Sequence, residues 1–533
     1  MRKKSLYNFG LDLENYSKQA KQGQVLTNYL VISADLDTPV SVYSKLKSKS
    51  PDAFIFESVI GGEKIGRYSL IGYKPIEKLV SKPSDEVDCY EVLEKKLIEL
   101  NGSKELKVNN LLPFFYRGYV GFFSFESISW IEPSLKPKKA DLPEMYLLLV
   151  GTLVVFDHVT QKIYLIDNRR HGKDGVILSE RSEQRHCEED KVRRGNPVNQ
   201  KSPEDIKSLY EKSCSNILEL KELIETNTDL DRLKLAQTEA SVAAVDFKSN
   251  TGEAKFSELI AKAKEHIYEG DVFQVVISHK FYADLNINPL NVYRLLRTVN
   301  PSPYLFAFNF SSNGEDFSLV GSSPEMLVKG SLIEDSNSIE AEIRPIAGTY
   351  KRGDSLEQDL KLSEELLNDP KERAEHVMLI DLARNDLGRV CVQGSVTVPQ
   401  NMIVEKYSHV LHIVSSVKGV LKKAYGVCSG IELLKASFPA GTLVGAPKVE
   451  ALDIISKLEL APRGIYGGTI GYFGIDGTID TAIMIRTLLL EKDRVTIQAG
   501  AGIVADSEPH KEWQETINKA SALLKVCKLV QKD

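Results

Sequence analysis

Two pairs of glutamates have the residue types and spacing with the clearest chemical use. Glu372 and Glu375 stand three residues apart in the stretch KERAEHVMLIDLARNDLGRV, and Glu512 and Glu515 repeat that spacing near the C-terminus. Residues at i and i+3 lie on one face of a helix, so each pair would present two carboxylates side by side. Carboxylate oxygens are good ligands for Mg²⁺, and Lys519 would add a cation one turn beyond Glu515. Two such helices facing each other would form a Mg²⁺ site.

The stretch from Lys371 to Val390 is predicted to be a helix because it holds good helix formers and repeats apolar residues at helical spacing. Leu379 and Leu382 continue the stripe of the first glutamate pair, so the carboxylates would point towards an interior or a cleft. Buried charge is costly unless a partner compensates it, and a hard cation is one good partner. However, Glu91 and Glu94 share the spacing on what looks like a solvated helix face. Spacing alone leaves both interpretations open.

Composition limits the class of protein. A length of 533 residues suggests two or more domains, or one large α/β body with additions, and the small net charge of −6 gives no electrostatic case for nucleic-acid binding. The six cysteines are scattered without a C-x-x-C motif, which suits a reducing compartment rather than a disulfide framework or zinc site. No signal peptide is recognised, and the longest apolar run, MYLLLVGTLVVF, is too short to span a bilayer. These features predict a soluble, cytoplasmic protein.

The order of predicted elements indicates an α+β fold. Short strands such as FIFESV alternate with polar helices before about residue 245, where 111–126 is predicted to be an antiparallel pair and 146–167 a hairpin turning at 158–161. The segment 173–200 contains six acidic and six basic residues without apolar periodicity, and is predicted to be a mobile surface insertion. Beyond about residue 252, helices bracket strands with Gly and Asp turn signals, which suggests a large antiparallel sheet rather than a βαβ repeat.

Three further motifs have competing interpretations. Gly500-Ala501-Gly502 follows a predicted strand as in a dinucleotide fingerprint, but no βαβ unit surrounds it, so its glycines are better explained by close backbone approach to an anionic ligand. GTLVGAPK lacks the spacing of a P-loop. His409 and His412 would face opposite sides of a strand, so at most one lines a cleft, as an acid/base group or as a satisfied core histidine. No nucleophile elbow is present, so acyl-enzyme chemistry has no visible nucleophile.

Six ordered motifs closely resemble those of the chorismate-utilising enzymes, specifically the anthranilate synthase large-subunit family. They are NPSPYLFAF, GSSPEML, RPIAGT, AEHVMLIDLARNDLGRV, IYGGTIGYF and AGAGIVADSEP. The resemblance covers about 28–529 apart from the charged insertion. It implies an anthranilate-synthase-type sheet sandwich flanked by helices, with the active-site cleft in the C-terminal half. It also implies an N-terminal regulatory and partner-facing domain at 28–245 and a chorismate-binding catalytic domain at 252–529.

The resemblance further implies where Mg²⁺ and chorismate would bind. Glu375 and Glu515 look like the metal ligands, with Glu512 beside them, and the metal would grip the ring carboxylate of chorismate. Arg486 and Lys519 would also hold carboxylates of the substrate, since the Arg side chain is a planar fork and the Lys side chain a point charge. The implied substrate pocket consists of Gly348, Thr349, Tyr466, Arg486, Gly500, Ala501, Gly502 and Lys519.

The same resemblance implies the catalytic roles. Glu325 matches the general acid that protonates the departing C4 hydroxyl, His412 matches the histidine associated with pyruvate elimination, and Glu372 lies beside the metal. Gln274 stands where water-adding relatives carry a Lys, and a neutral amide cannot activate water, so ammonia is the more natural nucleophile. Ala347 replaces the lysine nucleophile of aminodeoxychorismate synthases. The implied reaction is attack of ammonia on C2, loss of the C4 hydroxyl to give 2-amino-2-deoxyisochorismate, and elimination of pyruvate to give anthranilate.

Partners and a regulator are implied as well. The chain lacks a glutaminase cysteine motif, so a separate glutamine amidotransferase subunit (component II) would supply ammonia, in a heterotetramer of two large and two small subunits. Family members are feedback-inhibited by tryptophan, which would place an allosteric site here at Glu57, Ser58, Pro303, Tyr304 and Leu305. Two departures from the family pattern are Phe56, in place of Leu, and Val444, in place of Ser or Thr.

Two alternative functions remain. A sibling enzyme would make aminodeoxychorismate, isochorismate or salicylate, and Gln274 and Ala347 argue against it. A non-catalytic tryptophan-binding regulator would have no reason to retain Glu325, His412 and Arg486 together.

Overall fold

The computed structural model describes residues 8–20, 25–57, 66–106, 111–171, 203–226, 245–312, 315–334, 336–406 and 410–530. The charged insertion predicted at 173–200, as well as Ser58 and His409, lie outside these ranges. The helices are α1 (Leu13–Gln19), α2 (Pro39–Lys47), α3 (Cys89–Asn101), α4 (Ile128–Ile131), α5 (Pro203–Glu225), α6 (Glu253–Glu269), α7 (Pro289–Val299), α8 (Leu356–Asn368), α9 (Pro370–Val390), α10 (Ser429–Ser437), α11 (Lys448–Leu458) and α12 (Pro509–Leu529). Within the described ranges, no helix is long and apolar enough to cross a membrane.

The strands form two large sheets. The strands are β1 (Val25–Ser33), β2 (Ala53–Glu57), β3 (Tyr68–Tyr73), β4 (Glu77–Ser81), β5 (Gly118–Phe123), β6 (Met145–Leu149), β7 (Thr152–Asp157), β8 (Lys162–Arg170), β9 (Lys248–Ser249), β10 (Gln274–Ala283), β11 (Tyr304–Ser312), β12 (Glu315–Ser323), β13 (Met326–Leu332), β14 (Ile339–Ile343), β15 (Ile346–Lys351), β16 (Thr397–Lys406), β17 (Val410–Val420), β18 (Gly445–Ala446), β19 (Thr469–Gly474), β20 (Ile479–Ile483), β21 (Thr487–Glu491) and β22 (Arg494–Ile503). The first sheet has the order β1-β8-β7-β3-β2-β11-β12-β21-β22-β10-β18, with β9 beside β10. The second has the order β15-β17-β14-β13-β20-β19-β5-β6-β4, with β16 beside β17.

The two sheets pack face to face through an aromatic core, which confirms the predicted α+β sheet sandwich. Phe310 of the first sheet lies 5.3 Å from Phe122 and 4.6 Å from Tyr146 of the second, measured between ring centroids. Such aromatic pairs contribute about 0.5–1.5 kcal/mol each beyond the burial of their area. Both sheets take strands from each end of the chain, since β2 pairs with β11 and β5 pairs with β19. The ranges 28–245 and 252–529 therefore share both sheets.

The stretch 111–126 forms one strand, β5, and the predicted antiparallel pair is wrong. Its glycines do not make a turn but let neighbouring strands approach. A Cβ on Gly121 would lie 2.0 Å from the carbonyl oxygen of Tyr146, and one on Gly118 would lie 2.2 Å from that of Phe473. Glycine is thus required by close packing within the sheet.

The stretch 146–167 forms three strands rather than the single hairpin predicted. β6 belongs to the second sheet, whereas β7 and β8 form a hairpin in the first sheet, with the turn where the sequence predicts it. The chain changes sheets at Gly151, where a Cβ would lie 2.3 Å from the carbonyl oxygen of Lys74. Every residue of β6 and β7 is buried, so the hydrophobic pattern of this run does not show where the chain passes from one sheet to the other.

The two helices predicted to carry the glutamate pairs are confirmed as α9 and α12. Asp369 caps α9, because its carboxylate accepts backbone N–H groups of Lys371 at 2.9 Å and Glu372 at 3.2 Å. His376, Leu379 and Ile380 form part of its buried face, while the glutamate pair lies at the half-buried edge of that face. α12 packs against β22 and against α6 and α7.

Candidate active site

The predicted site residues come from both sheets and from the two glutamate-bearing helices. The second sheet supplies Glu325, immediately before β13, together with Gly348 on β15 and His412 on β17. The first sheet supplies Gln274 at the start of β10 and the glycine motif of β22, Gly500-Ala501-Gly502. Tyr466 and Arg486 lie in the connections beside β19 and β21. Hydrogen bonds and close approaches connect several of these residues.

Among the residues that the structure describes, one side-chain hydrogen bond reaches the carboxyl group of Glu325. The hydroxyl of Thr442 donates to its Oε1 at 2.9 Å. Burial raises the pKa of Glu325 to about 7, and the Thr442 hydrogen bond together with the positive charges of Arg486 and Lys519 lowers it against that trend. A carboxyl group with this pKa is partly protonated at neutral pH, which is what proton donation requires.

Arg486 is a partly buried cation without a close anion. Across the described ranges its guanidinium makes no hydrogen bond or ion pair, and only the more distant charge of Glu325 attracts it. Burial lowers the pKa of Arg486. Its backbone is in the left-handed region, with φ of +48°, and its carbonyl accepts the N–H of Ser322 at 3.1 Å. Because buried charges in proteins are normally paired, this guanidinium is arranged to receive an anionic ligand.

The glycines of β22 are required by the side chains above them. A Cβ on Gly500 would lie 2.9 Å from the Tyr466 hydroxyl oxygen, and one on Gly502 would lie 2.5 Å from Nε2 of Gln274. Lys519 on α12 donates to the carbonyl of Gly500 at 3.0 Å. Ala501, between the glycines, points the other way and is fully buried in the core. This backbone edge therefore faces Tyr466 and Gln274, as expected for a strand that approaches a ligand closely.

His412 is oriented by the neighbouring strand. Its Nδ1 lies 2.8 Å from the carbonyl oxygen of Gly348, which can only accept, so Nδ1 carries the proton and Nε2 the lone pair. Burial lowers the pKa of His412, which keeps the ring neutral at pH 7. Gly348 has φ of +69°, and a Cβ there would lie 3.1 Å from Oε2 of Glu372. Thr349 is paired with His412 in the strand register.

The glutamates of α9 and of α12 interact electrostatically within each pair. Burial raises the pKa of Glu372, and the charge of Glu375 raises it further. Burial also raises the pKa of Glu512, with a smaller effect of Glu515. Glu515 lies 2.7 Å from the ammonium of Lys519.

The glutamate oxygens are not gathered into one cluster. Of the residues described, only His266, Glu269 and Asp271, at the end of α6, bring three potential ligand atoms within 4.8 Å of one another. The donor set on α9 and α12 nevertheless fits a hard cation, because all of its potential ligand atoms are carboxylate oxygens.

The predicted tryptophan site faces a different space. A cavity of about 1440 Å³ is lined by Phe56, Glu57, Pro303 and Tyr304, among others. Pro324 and Met326 also line it, whereas the carboxylate of Glu325 between them meets Thr442. The side chain of Glu325 therefore faces away from this cavity.

Two of the residues predicted to contact tryptophan, Glu57 and Tyr304, form side-chain hydrogen bonds within the protein. The carboxylate of Glu57 accepts hydrogen bonds from the Tyr293 hydroxyl and from Arg297, the latter at 3.3 Å. The side chain of Leu305 is fully buried in the core and does not line the cavity. Pro303 and Tyr304 do line it, and the Tyr304 hydroxyl donates to Asp480 at 2.8 Å.

Comparison with known proteins identifies the family. The sequence profile of chorismate binding enzymes matches residues 51–525. The chain belongs to the chorismate binding enzyme family. Within this family it is 39% identical to anthranilate synthase component 1 of Synechocystis sp., covering 96% of this chain and 97% of the relative. It is 38% identical to the component 1 protein of Aquifex aeolicus, covering 98% and 99%.

Solved structures of this family have the same fold. Anthranilate synthase component I from Streptococcus pneumoniae superposes with a TM-score of 0.67 at 32% identity, over 92% of this chain and 98% of that one. The menaquinone-specific isochorismate synthase of Escherichia coli gives a TM-score of 0.66 at 19% identity, over 97% and 98%. At that identity the second likeness concerns the fold alone.

One contact of this family member was missed in the sequence. Thr442, in GTLVGAPK, donates to Glu325, whereas the sequence of this motif suggests only a phosphate loop and a departure from the family at Val444. Val444 is fully buried in the core. A hydroxyl in a Gly-rich motif was the available signal, but the sequence does not show which carboxylate it meets.

Proposed function

We propose that this chain is the chorismate-converting subunit of an anthranilate synthase, a lyase that forms anthranilate and pyruvate from chorismate and ammonia. The observation that carries the proposal is the pair formed by Arg486 and Glu325. A cation without a close anion lies within the field of a carboxyl group whose pKa is about 7. That combination suits a dicarboxylate substrate that must lose a hydroxyl group. Near-full-length similarity to component 1 proteins supports it.

In the proposed reaction, the carboxylates of chorismate bind to Arg486 and Lys519, and the backbone of β22 lies against the ring. Ammonia forms a bond to C2, the ring double bonds shift, and the C4–O bond breaks while Glu325 donates a proton so that water leaves. Thr442 keeps the Glu325 carboxyl group directed at that oxygen. Gln274, a neutral amide, does not activate water at C2.

The second half of the reaction is an elimination. The proton at C2 is removed, the C3–O bond breaks as the ring becomes aromatic, and the enolpyruvate that leaves takes up a proton at its methylene carbon to give pyruvate. The lone pair on Nε2 of His412 is suited to taking part in this proton transfer, and Gly348 keeps that tautomer.

Mg²⁺ is proposed as the cofactor. Glu375, Glu512 and Glu515 would hold it, with Glu372 beside them. When bound, the ion would neutralise carboxylate charge of the substrate and stabilise negative charge developing in the ring. Lys519 would share Glu515 with the ion, since it lies 2.7 Å from that carboxylate.

The ammonia source and the regulator are also proposals. The name component 1 carried by the relatives implies a partner component, and a glutamine amidotransferase subunit would supply ammonia here, in an assembly of two large and two small subunits. Tryptophan would bind in the cavity beside Phe56, Pro303 and Tyr304 and inhibit the reaction.

The test is product formation by the purified chain. Chorismate, Mg²⁺ and ammonium at alkaline pH should give anthranilate fluorescence that disappears on addition of EDTA. Consumption of chorismate without anthranilate would instead favour a sibling activity. A folded chain that binds tryptophan and consumes no chorismate, with or without the partner subunit, would favour a non-catalytic regulator.

The pH dependence should report the ionisation of Glu325. The acid works only when protonated, so kcat/KM for chorismate at a fixed concentration of free ammonia should fall as pH rises through about 7. Thr442→Val removes a hydrogen bond that favours the charged carboxylate, so the pKa rises and the descending limb should move to higher pH. A limb that stays in place in this variant would argue against Glu325 as the titrating group.

Replacing Phe56 should strengthen inhibition by tryptophan. Phe56→Leu restores the family residue and removes ring volume from the cavity wall. We expect half-inhibition at about tenfold lower tryptophan concentration. This gain in binding free energy is at the lower end of the about 1–3 kcal/mol by which a small change of shape in an apolar pocket alters binding. Phe114→Leu, the same change elsewhere on the cavity wall, is the matched control. Equal shifts in both variants would count against a tryptophan site at Phe56.

A further inference from the structure

Arg463 is the best-connected buried cation near the site. It is 2% exposed and its guanidinium donates four hydrogen bonds. Two go to the carboxylate of Glu459, at 2.9 and 2.7 Å. The others go to backbone carbonyls, of Leu443 at 2.7 Å and of Val276 at 2.9 Å. A single planar group thus joins three separate segments of the chain.

Each of these segments carries a residue of the proposed site. Leu443 directly follows Thr442, the hydrogen-bond donor to Glu325. Val276 lies on β10, two residues after Gln274. The guanidinium also lies over the ring of Tyr466, 5.6 Å from its centroid. Arg463 therefore touches the elements that place three site residues, while its own side chain is enclosed by protein.

Carboxylates extend this contact to β22. Oε1 of Glu459 accepts both the backbone N–H and the hydroxyl of Ser278, each at 2.8 Å, and Ser278 is paired with Gly500 in the strand register. The carboxylate of Glu126 accepts the backbone N–H groups of Arg463 at 2.7 Å and Gly464 at 3.0 Å. The loop that leads to Tyr466 is thus held at its backbone as well as by its side chain.

Stability of the core does not by itself require this buried ion pair. Burying an ion pair costs desolvation energy that its attraction often fails to recover, and well-packed apolar residues can stabilise a core equally well. What the guanidinium provides is direction, because its donors lie in a fixed plane and reach acceptors on different elements at once. A lysine ammonium could pair with Glu459 but could not hold both carbonyls in that plane.

We propose that Arg463 is a positioning residue of the reaction, which sets the mutual spacing of Thr442, Gln274 and Tyr466 without touching the substrate. This inference rests on the proposed function. Loss of the guanidinium would let the Thr442 segment move relative to β10. The hydrogen bond to Glu325 would then lengthen, and the Tyr466 hydroxyl would lose its place above Gly500.

The test is a double-mutant cycle in ammonia-dependent anthranilate formation. Arg463→Lys should lower kcat about 100-fold and move the descending limb of the pH profile in the same direction as Thr442→Val. Because part of the effect passes through Thr442, the double variant should lose less than the product of the two single losses. Asp167→Asn is the control, since it weakens another ion pair with a buried carboxylate, to Arg169 at 2.7 Å, on β8 near the opposite edge of the first sheet from β10. It should lower the melting temperature without shifting the limb.

Several outcomes would overturn the proposal. They are activity of folded Arg463→Lys within about twofold of the unmodified chain, an unshifted limb, or losses that simply multiply. If Arg463→Lys does not fold, Glu459→Gln keeps the side-chain shape and should show the same limb shift. Failure of both variants to fold would assign the network to stability instead. If the unmodified chain makes no anthranilate, the proposed function fails separately. The affinity for chorismate is then measured by calorimetry in the same variants. An unchanged affinity in folded Arg463→Lys would overturn the inference.

Discussion

Glu325→Gln should reduce ammonia-dependent anthranilate formation about 10³-fold, within the range of about 10²–10⁴ that a positioned general acid supplies. The amide has nearly the same shape and can still accept the hydrogen bond of Thr442 at Oε1, so the pocket should remain intact. It has no proton of suitable acidity to give to the departing hydroxyl. We therefore expect the loss in kcat, with the KM for chorismate within about threefold, measured by anthranilate fluorescence.

A control separates this effect from general damage to the second sheet. Glu340→Gln changes a partly exposed glutamate on β14, which forms an ion pair with Lys418 at 2.5 Å on the cavity side. Its kcat should be close to that of the unmodified chain. If Glu325→Gln retained more than about a tenth of the activity, another group would have to be the acid.

The second large effect concerns the metal. Glu515→Gln removes one proposed ligand charge and also leaves Lys519 without its carboxylate partner. We expect the Mg²⁺ concentration for half-maximal activity to rise at least about tenfold, because hard cations depend on ligand charge. Glu375→Gln, on α9, should have a similar effect. The measurement is a Mg²⁺ titration of the initial rate at saturating chorismate.

Glu508→Gln is the matched control for the metal, since Glu508 immediately precedes the same helix and pairs with Lys511 on its exposed surface at 2.6 Å. Its Mg²⁺ requirement should be unchanged. An equal shift in all three variants would indicate a nonspecific effect of charge on Mg²⁺ binding. No shift in Glu375→Gln or Glu515→Gln would remove the two helices as the metal site.

The local pattern of the sequence was sufficient for several elements. Helical periodicity predicted α9 and α12, and a polar turn between apolar runs predicted the β7–β8 hairpin. These elements were predictable because each depends on residues close in sequence. The resemblance in motifs named Glu325, Arg486 and Tyr466 together, and their roles in the site stay predictions.

Other predictions failed where the deciding partner is distant in sequence. Gly121 lies in a stretch predicted to be an antiparallel pair, but a strand from another part of the chain needs the space of its missing Cβ. The apolar run from Met145 looked like one strand with a hairpin, but residues buried on both faces carry no mark of the sheet they join. Leu305, grouped with the tryptophan site by its motif, points into the core because alternate residues of a strand face opposite sides.

By itself, the sequence determined the fold class, the two glutamate-bearing helices and the family to which this chain belongs. Only the tertiary structure decided that Thr442 meets Glu325, that Arg486 is left without a close anion, and that Arg463 joins three segments. Helices and turns arise from contacts between near neighbours, and their residues show a recognisable pattern in the sequence. Hydrogen bonds across more than a hundred residues show no such pattern, because any hydroxyl or guanidinium of the right type looks the same in the sequence until the sheets bring it to its partner.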